Sequence, residues 1–112
     1  MLTNILKKVF RMNRECKENC ISYEDVKNMM KNKNCILIDV RSPQEFKERH
    51  LENSINIPLY ELQKKTEKMI YDKEKTIIVY CQTGNRSNRA LKILAKNGYK
   101  NIYNLKGGLD NI

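Results

Sequence analysis

Two runs dominate the chain. Cys35 to Val40 is apolar throughout except for Asp39 near its end, and Thr76 to Tyr80 is an apolar run that leads into Cys81. Such unbroken runs fit strands of a parallel sheet covered on both faces. Shorter strands are predicted over Ser54 to Ile57, closed by Pro58, and over Asn101 to Leu105. Helical spacing fills the intervals. Ser22 followed by Asp25 is an N-cap signal, with Val26, Met29 and Met30 on one side and an end among Lys31 to Asn34. Ser42-Pro43-Gln44-Glu45 combines a cap serine, proline at the first helical position and a glutamate three residues after the cap, so a short helix is predicted to end near Arg49. Leu59 to Met69 is predicted helical with Leu62, Thr66, Met69 and Ile70 inward. Asn88 to Asn97 carries Ala90, Leu91, Leu94 and Ala95 at helical spacing, with Gly98 where a left-handed cap is wanted. Strands alternating with helices place the chain in the α/β class.

Residues 1–20 are a separate piece. Leu2, Ile5, Leu6, Val9 and Phe10 recur at offsets of three and four, with Lys7, Lys8, Arg11 and Arg14 between them. A short amphipathic helix is predicted, followed by a charged connector over Arg11 to Asn19. It has two readings, a helix packed on the domain or a peripheral contact with a membrane or partner. The remaining residues, 21–112, suffice for one compact domain. No apolar run reaches the ~18–20 residues of a transmembrane helix. The first dozen residues lack a long hydrophobic centre and a small-residue cleavage site, so the expected location is cytoplasmic.

Charge and cysteine content narrow the function classes. The formal net charge is +9, but the lysines are spread along the chain among acids and asparagines, without the aromatic-rich basic groove that single-stranded nucleic acid prefers. A positive field that steers small anions is expected, and no nucleic-acid partner. Cys16, Cys20, Cys35 and Cys81 are read as thiols. With a single histidine in the chain, neither a metal site nor a cofactor is expected.

Chemistry gathers at Cys81-Gln82-Thr83-Gly84-Asn85-Arg86-Ser87, between a buried strand and a helix N-terminus. Unpaired amides and the positive end of a helix dipole favour an anion there. A thiol pKa lowered from about 8.5 to about 6.5, with Arg86 close by, would raise the thiolate fraction at neutral pH from roughly 3% to roughly three quarters. A cysteine that only filled a strand end would not require a glycine, an arginine and hydroxyls at the next positions.

This heptapeptide resembles the active-site loop of the rhodanese family of sulfurtransferases. Leu37-Ile38-Asp39-Val40-Arg41, Glu45-Phe46, His50-Leu51 and Ser54-Ile55-Asn56-Ile57-Pro58 resemble that family's N-terminal signature, and Gly98-Tyr99, Ile102-Tyr103 and Leu105-Lys106-Gly107-Gly108 its closing one. The resemblance covers residues 21–112 in the family's order. It implies a small central, mostly parallel sheet with helices on both faces. It departs from the family at Leu109-Asp110-Asn111-Ile112, where the family commonly continues into another helix that walls the site.

The activity so implied moves sulfane sulfur through a Cys81 persulfide. The donor is a small anion such as thiosulfate, or a persulfide; the acceptor is a thiol such as glutathione or thioredoxin, cyanide, or an acceptor protein. Gln82, Thr83, Gly84, Asn85, Arg86 and Ser87 would bind the donor, with the amides of the loop curled around the sulfur and Gly84 permitting the curl. Asp39 and Arg41, at the C-terminal edge of a strand, would brace the loop. Arg41 is expected to pair with Glu45, and Asp39 to accept backbone hydrogen bonds. His50 is assigned a structural role. Two alternatives stand beside this reading: a non-catalytic binding or persulfide-carrier module, and a cysteine-dependent phosphatase. The phosphatase loop places five residues between Cys and Arg; here four intervene between Cys81 and Arg86.

Overall fold

A computed structural model of the protein describes residues 19–112. The predicted N-terminal amphipathic helix, and the connector up to residue 18, lie outside the described residues. The elements run β1 (Cys20–Ile21), α1 (Tyr23–Met29), β2 (Cys35–Asp39), α2 (Pro43–Glu48), β3 (Ser54–Asn56), a 3-10 turn (Leu59–Glu61), α3 (Leu62–Met69), β4 (Thr76–Tyr80), α4 (Asn85–Lys96), β5 (Asn101–Leu105) and a second 3-10 turn (Gly108–Asn111). The five strands form one sheet in the order β1-β5-β4-β2-β3, with every pairing parallel.

Side chains alternate across the pleat, and both faces of the sheet are covered. Ile38, Ile77, Val79 and Ile102 face one way, against Leu62 of α3 and Ala90, Leu91 and Leu94 of α4. Leu37, Ile78, Tyr80 and Leu105 face the other, against Val26 of α1, Leu51 and Leu109. Two buried layers explain why β2 and β4 read as unbroken apolar runs rather than alternating ones.

Local signals place most helices. Ser22 and Asp25 form a capping box on α1, and Ser42 and Glu45 form one on α2, with Pro43 opening the helix. Gly98 has φ 95° just past α4. Other expectations are corrected. Leu59 to Met69 begins as a 3-10 turn, and of the residues expected inward Leu62, Thr66 and Ile70 are buried while Met69, at the last position of the helix, is exposed. Ala95 is exposed, while Ser87 and Asn88 extend the buried face of α4 in the other direction. The two-residue β1 was not anticipated; it pairs only at the sheet edge, with Asn104 and Leu105. Cys20 is disulfide-bonded rather than a thiol, while Cys35 and Cys81 are free.

The topology fixes where a ligand can sit. From β2 the chain moves outward to β3, and from β4 it moves the opposite way to β5, so the order reverses between β2 and β4. Crevices at the C-terminal ends of strands flanking such a reversal are where open α/β sheets bind ligands. Asp39 and Tyr80 are partners at those ends, and the amide of Val40 donates to the carbonyl of Tyr80 at 3.0 Å. No helix among the described residues is long and apolar enough to cross a membrane.

Candidate active site

Cys81 is the first residue after β4 and is buried, with 1% of its surface exposed. Its sulfur is surrounded by donors from the next six residues. The amide of Gly84 donates to Sγ at 3.0 Å and the amide of Ser87 at 3.4 Å, and the Ser87 hydroxyl lies 3.3 Å away. The Thr83 amide contributes as well. Burial pushes the thiol pKa up, but the hydrogen bonds from the Ser87 hydroxyl and from the Ser87, Gly84 and Thr83 amides outweigh it, so Cys81 lies below its ordinary value. Gly84 caps α4 with φ 105°, a left-handed conformation that side chains rarely adopt. The helix starts at Asn85, earlier than the predicted Asn88, so Arg86 and Ser87 belong to its first turn. The amides that hydrogen-bond the sulfur are therefore one from the loop and one from the helix, with that of Thr83 contributing to the lowered pKa, not a continuous run from Gln82 to Arg86.

The outer side of the loop is braced by hydrogen bonds that fix one of these amides, that of Thr83. The carbonyls of Cys81 and Gln82 accept from the amides of Leu109 and Asp110, each at 3.0 Å, and the Asn104 side chain donates to the carbonyl of Gly84 at 3.3 Å. In a trans peptide the carbonyl of one residue points opposite to the amide of the next. Tying the Gln82 carbonyl outward therefore turns the Thr83 amide inward. The C-terminal turn can approach so closely because Gly107 and Gly108 both have positive φ, and a Cβ on Gly108 would lie 2.4 Å from the Cys81 carbonyl oxygen. The Gln82 side chain joins both sides, donating to Asp110 Oδ1 at 2.6 Å and accepting from Arg41 at 3.2 Å.

Asp39 and Arg41 come together beneath this loop. The Arg41 guanidinium makes a bidentate contact with the Asp39 carboxylate, with Nη2 2.8 Å from Oδ2, and both side chains are buried. Arg41 also donates to the carbonyl of Arg49. The expected Arg41–Glu45 pair is not formed. Glu45 instead grips Arg86 through two bonds of 2.7 and 2.9 Å, and those bonds, working against burial, bring its carboxyl to about 2. Arg41 is taken by the acid two residues before it, which leaves Glu45, on the first turn of α2, facing α4.

The remaining predicted residues divide by position. Thr83 and Asn85 are exposed, and Gln82 is half-buried. His50 is exposed, stacks on Phe46 with ring centroids 3.7 Å apart, and shares a 2.6 Å hydrogen bond with the Phe46 carbonyl. Three contributors were missed from sequence: Glu45 as the partner of Arg86, Asn104, and the Gly108–Asp110 turn. The glycine pair was visible, but only as a turn; which loop it meets is a property of strand order.

Comparison with known proteins bears on the family and the fold. Residues 22–112 match the family model described as a rhodanese-like domain. The chain is 36% identical over 93 residues to a tRNA uridine(34) hydroxylase of Buchnera aphidicola, covering 80% of this chain but only 30% of that protein. It is 40% identical to the thiosulfate sulfurtransferase PspE of Escherichia coli, covering 67% of this chain and 71% of PspE. A rhodanese from E. coli solved with anions superposes with a TM-score of 0.64 at 37% identity, covering 70% of this chain and 91% of that one. With its parallel sheet, its cysteine loop and this match over most of its length, the chain belongs to the rhodanese-like domain family.

Proposed function

We propose that this protein is a sulfurtransferase that moves sulfane sulfur from thiosulfate or a persulfide to a thiol, cyanide or protein acceptor by way of a Cys81 persulfide. One observation carries the reading: a buried sulfur that accepts from one loop amide, that of Gly84, and one helix amide, that of Ser87, with the Ser87 hydroxyl 3.3 Å away, an arrangement that favours a negative charge. The Cys81 thiolate attacks the outer sulfur of thiosulfate. The S–S bond of the donor breaks, its electron pair leaves on sulfite, and Cys81 carries a persulfide anion. An acceptor thiolate then attacks the outer sulfur, and the electron pair of the persulfide bond returns to Cys81. Both steps keep one negative charge inside the ring of amides, where a preorganised donor is worth about 2.7–4 kcal/mol in favourable cases.

Asp39 and Arg41 serve as positioning residues through Gln82. Thr83, Asn85 and Arg86 would meet the entering donor. A phosphatase reading is weaker here, because it needs the arginine fork for phosphate oxygens and Arg86 spends that fork on Glu45. Intact-mass spectrometry after incubation with thiosulfate tests the proposal. Wild-type protein should gain one sulfur, and Cys81→Ser should gain none while keeping its circular dichroism. Undiminished sulfur loading or turnover in Cys81→Ser refutes the assignment.

A further inference from the structure

Thiosulfate is a dianion, and Arg86 is the cation in the first turn of the helix that cradles the nucleophile. Yet its guanidinium is already held. Nη1 and Nη2 meet the two oxygens of Glu45 at 2.7 and 2.9 Å, the bidentate geometry an oxyanion would otherwise take. Glu45 is not free to swing away, because Oε1 also accepts from the amide and the hydroxyl of Ser42, each at 3.0 Å, as the acidic half of the capping box on α2. Arg41, the other arginine beside the loop, is matched in the same way by Asp39. The +9 of the chain therefore does not reach the rim of the loop through these two residues.

We propose that Glu45 sets donor selectivity: by holding Arg86 it withholds the cation that would bind a dianion, and tilts the site away from thiosulfate toward alkyl persulfides. The inference rests on the sulfurtransferase reading. An alkyl persulfide R–S–SH needs no cation at the rim. The Cys81 thiolate attacks its outer sulfur, the S–S bond breaks, R–S⁻ leaves with the electron pair, and the proton stays on the new Cys81 persulfide. With thiosulfate the same displacement requires a sulfonate to settle beside Arg86 in competition with a fixed carboxylate.

The test measures Cys81 persulfide formation by rapid-quench intact-mass spectrometry, with thiosulfate and with the persulfide of 2-mercaptoethanol as donors. Glu45→Gln keeps an oxygen for the Ser42 amide while removing the charge. It should lower the KM for thiosulfate about tenfold with kcat little changed, and so raise the thiosulfate-to-persulfide ratio of kcat/KM about tenfold. The gain should shrink with added salt and vanish in Glu45→Gln/Arg86→Ala. Glu45→Ala, which loses the cap as well, should raise the ratio too, so a stability defect alone cannot imitate the effect. A ratio that stays at the wild-type value or falls, in either Glu45 variant, overturns the inference while leaving the sulfurtransferase reading intact. Failure of wild-type Cys81 to take sulfur from either donor sinks both.

Discussion

Gly108→Ala tests whether the C-terminal turn shapes the thiolate site from outside. Gly108 has φ +62°, and a Cβ there would lie 2.4 Å from the Cys81 carbonyl oxygen and 2.6 Å from the carbonyl carbon and oxygen of Gln82. All three are backbone atoms, so no side chain can step aside. Holding alanine in the left-handed region costs about 1–2 kcal/mol, and forcing an extra methyl into a filled site about 1–3 kcal/mol. A combined loss of about 2–5 kcal/mol should lower the melting temperature by roughly 10 °C or more in a domain of this size. The sharper consequence is chemical. If the turn withdraws, the Asp110 amide releases the Gln82 carbonyl, the Gln82–Thr83 peptide is free to rotate, and the Thr83 amide leaves the sulfur. Losing one hydrogen bond to the charged form should raise the thiol pKa back toward its ordinary value. Ultraviolet titration of the thiolate, with Cys81→Ser as the blank for the other sulfurs, reads this directly. A variant that melts early but titrates like wild type would show that the turn only stabilises the fold, and the orientation argument would fail.

Ser87→Ala removes the hydroxyl 3.3 Å from Sγ and should raise the thiol pKa, slowing persulfide formation at neutral pH several-fold; an unchanged pH profile would remove Ser87 from the site. In wild type the rate of persulfide formation should rise through a pKa below the ordinary thiol value of about 8.5 and then level off. The stability linkage has a matching sign. A lowered thiol pKa contributes stability that is fully present above about 8.5 and is lost as pH falls through the folded-state value, so the melting advantage of wild type over Cys81→Ser should grow with pH across that window. Arg41→Ala leaves the buried Asp39 carboxylate without its partner and should cost about 3–5 kcal/mol by chemical denaturation; a loss under 1 kcal/mol would mean that water replaces the guanidinium.

What the sequence made legible follows from range. Ser42, Pro43 and Glu45 act within one turn, so the start of α2 could be read from adjacent letters, and the same holds for Gly98 after α4. The apolar runs of β2 and β4 report burial on two faces, which is again a local pattern. The Cys81 loop was legible because its donors come from the six residues that follow the sulfur. Partner choice was not. Glu45 has Arg41 four residues before it and Arg86 forty-one residues after it, and only the docking of α2 beside α4 decides for Arg86. The start of α4 was misplaced for a related reason: Asn85, Arg86 and Ser87 are polar and read as loop, yet Ser87 is fully buried because it faces the sulfur rather than the apolar core.

The site is best understood as a contest between burial and amide orientation, decided by the outer ring of hydrogen bonds. A sulfur with 1% exposure in an apolar pocket would hold its proton, as desolvation disfavours the charged form. Inward amides reverse this only if their peptide planes cannot turn, and a loop of four residues between a strand and a helix has no ladder of its own to hold them. The Cys81 and Gln82 carbonyls are tied from outside by the turn after β5, and the Gly84 carbonyl by Asn104 on β5 and by the Asn88 amide at 3.1 Å; among the planes that carry the inward donors, the Gln82–Thr83 plane is the one fixed in this way, while the Ser87 amide is held by the backbone of α4. All of these carbonyl ties except that from Asn88 come from β5 or the turn that follows it, and β5 lies against β4 because the strand order reverses between β2 and β4. The same reversal that opens the crevice thus brings in the segment that fixes the Gln82–Thr83 plane and braces the loop, which is why the surroundings of one sulfur depend on residues more than twenty positions away.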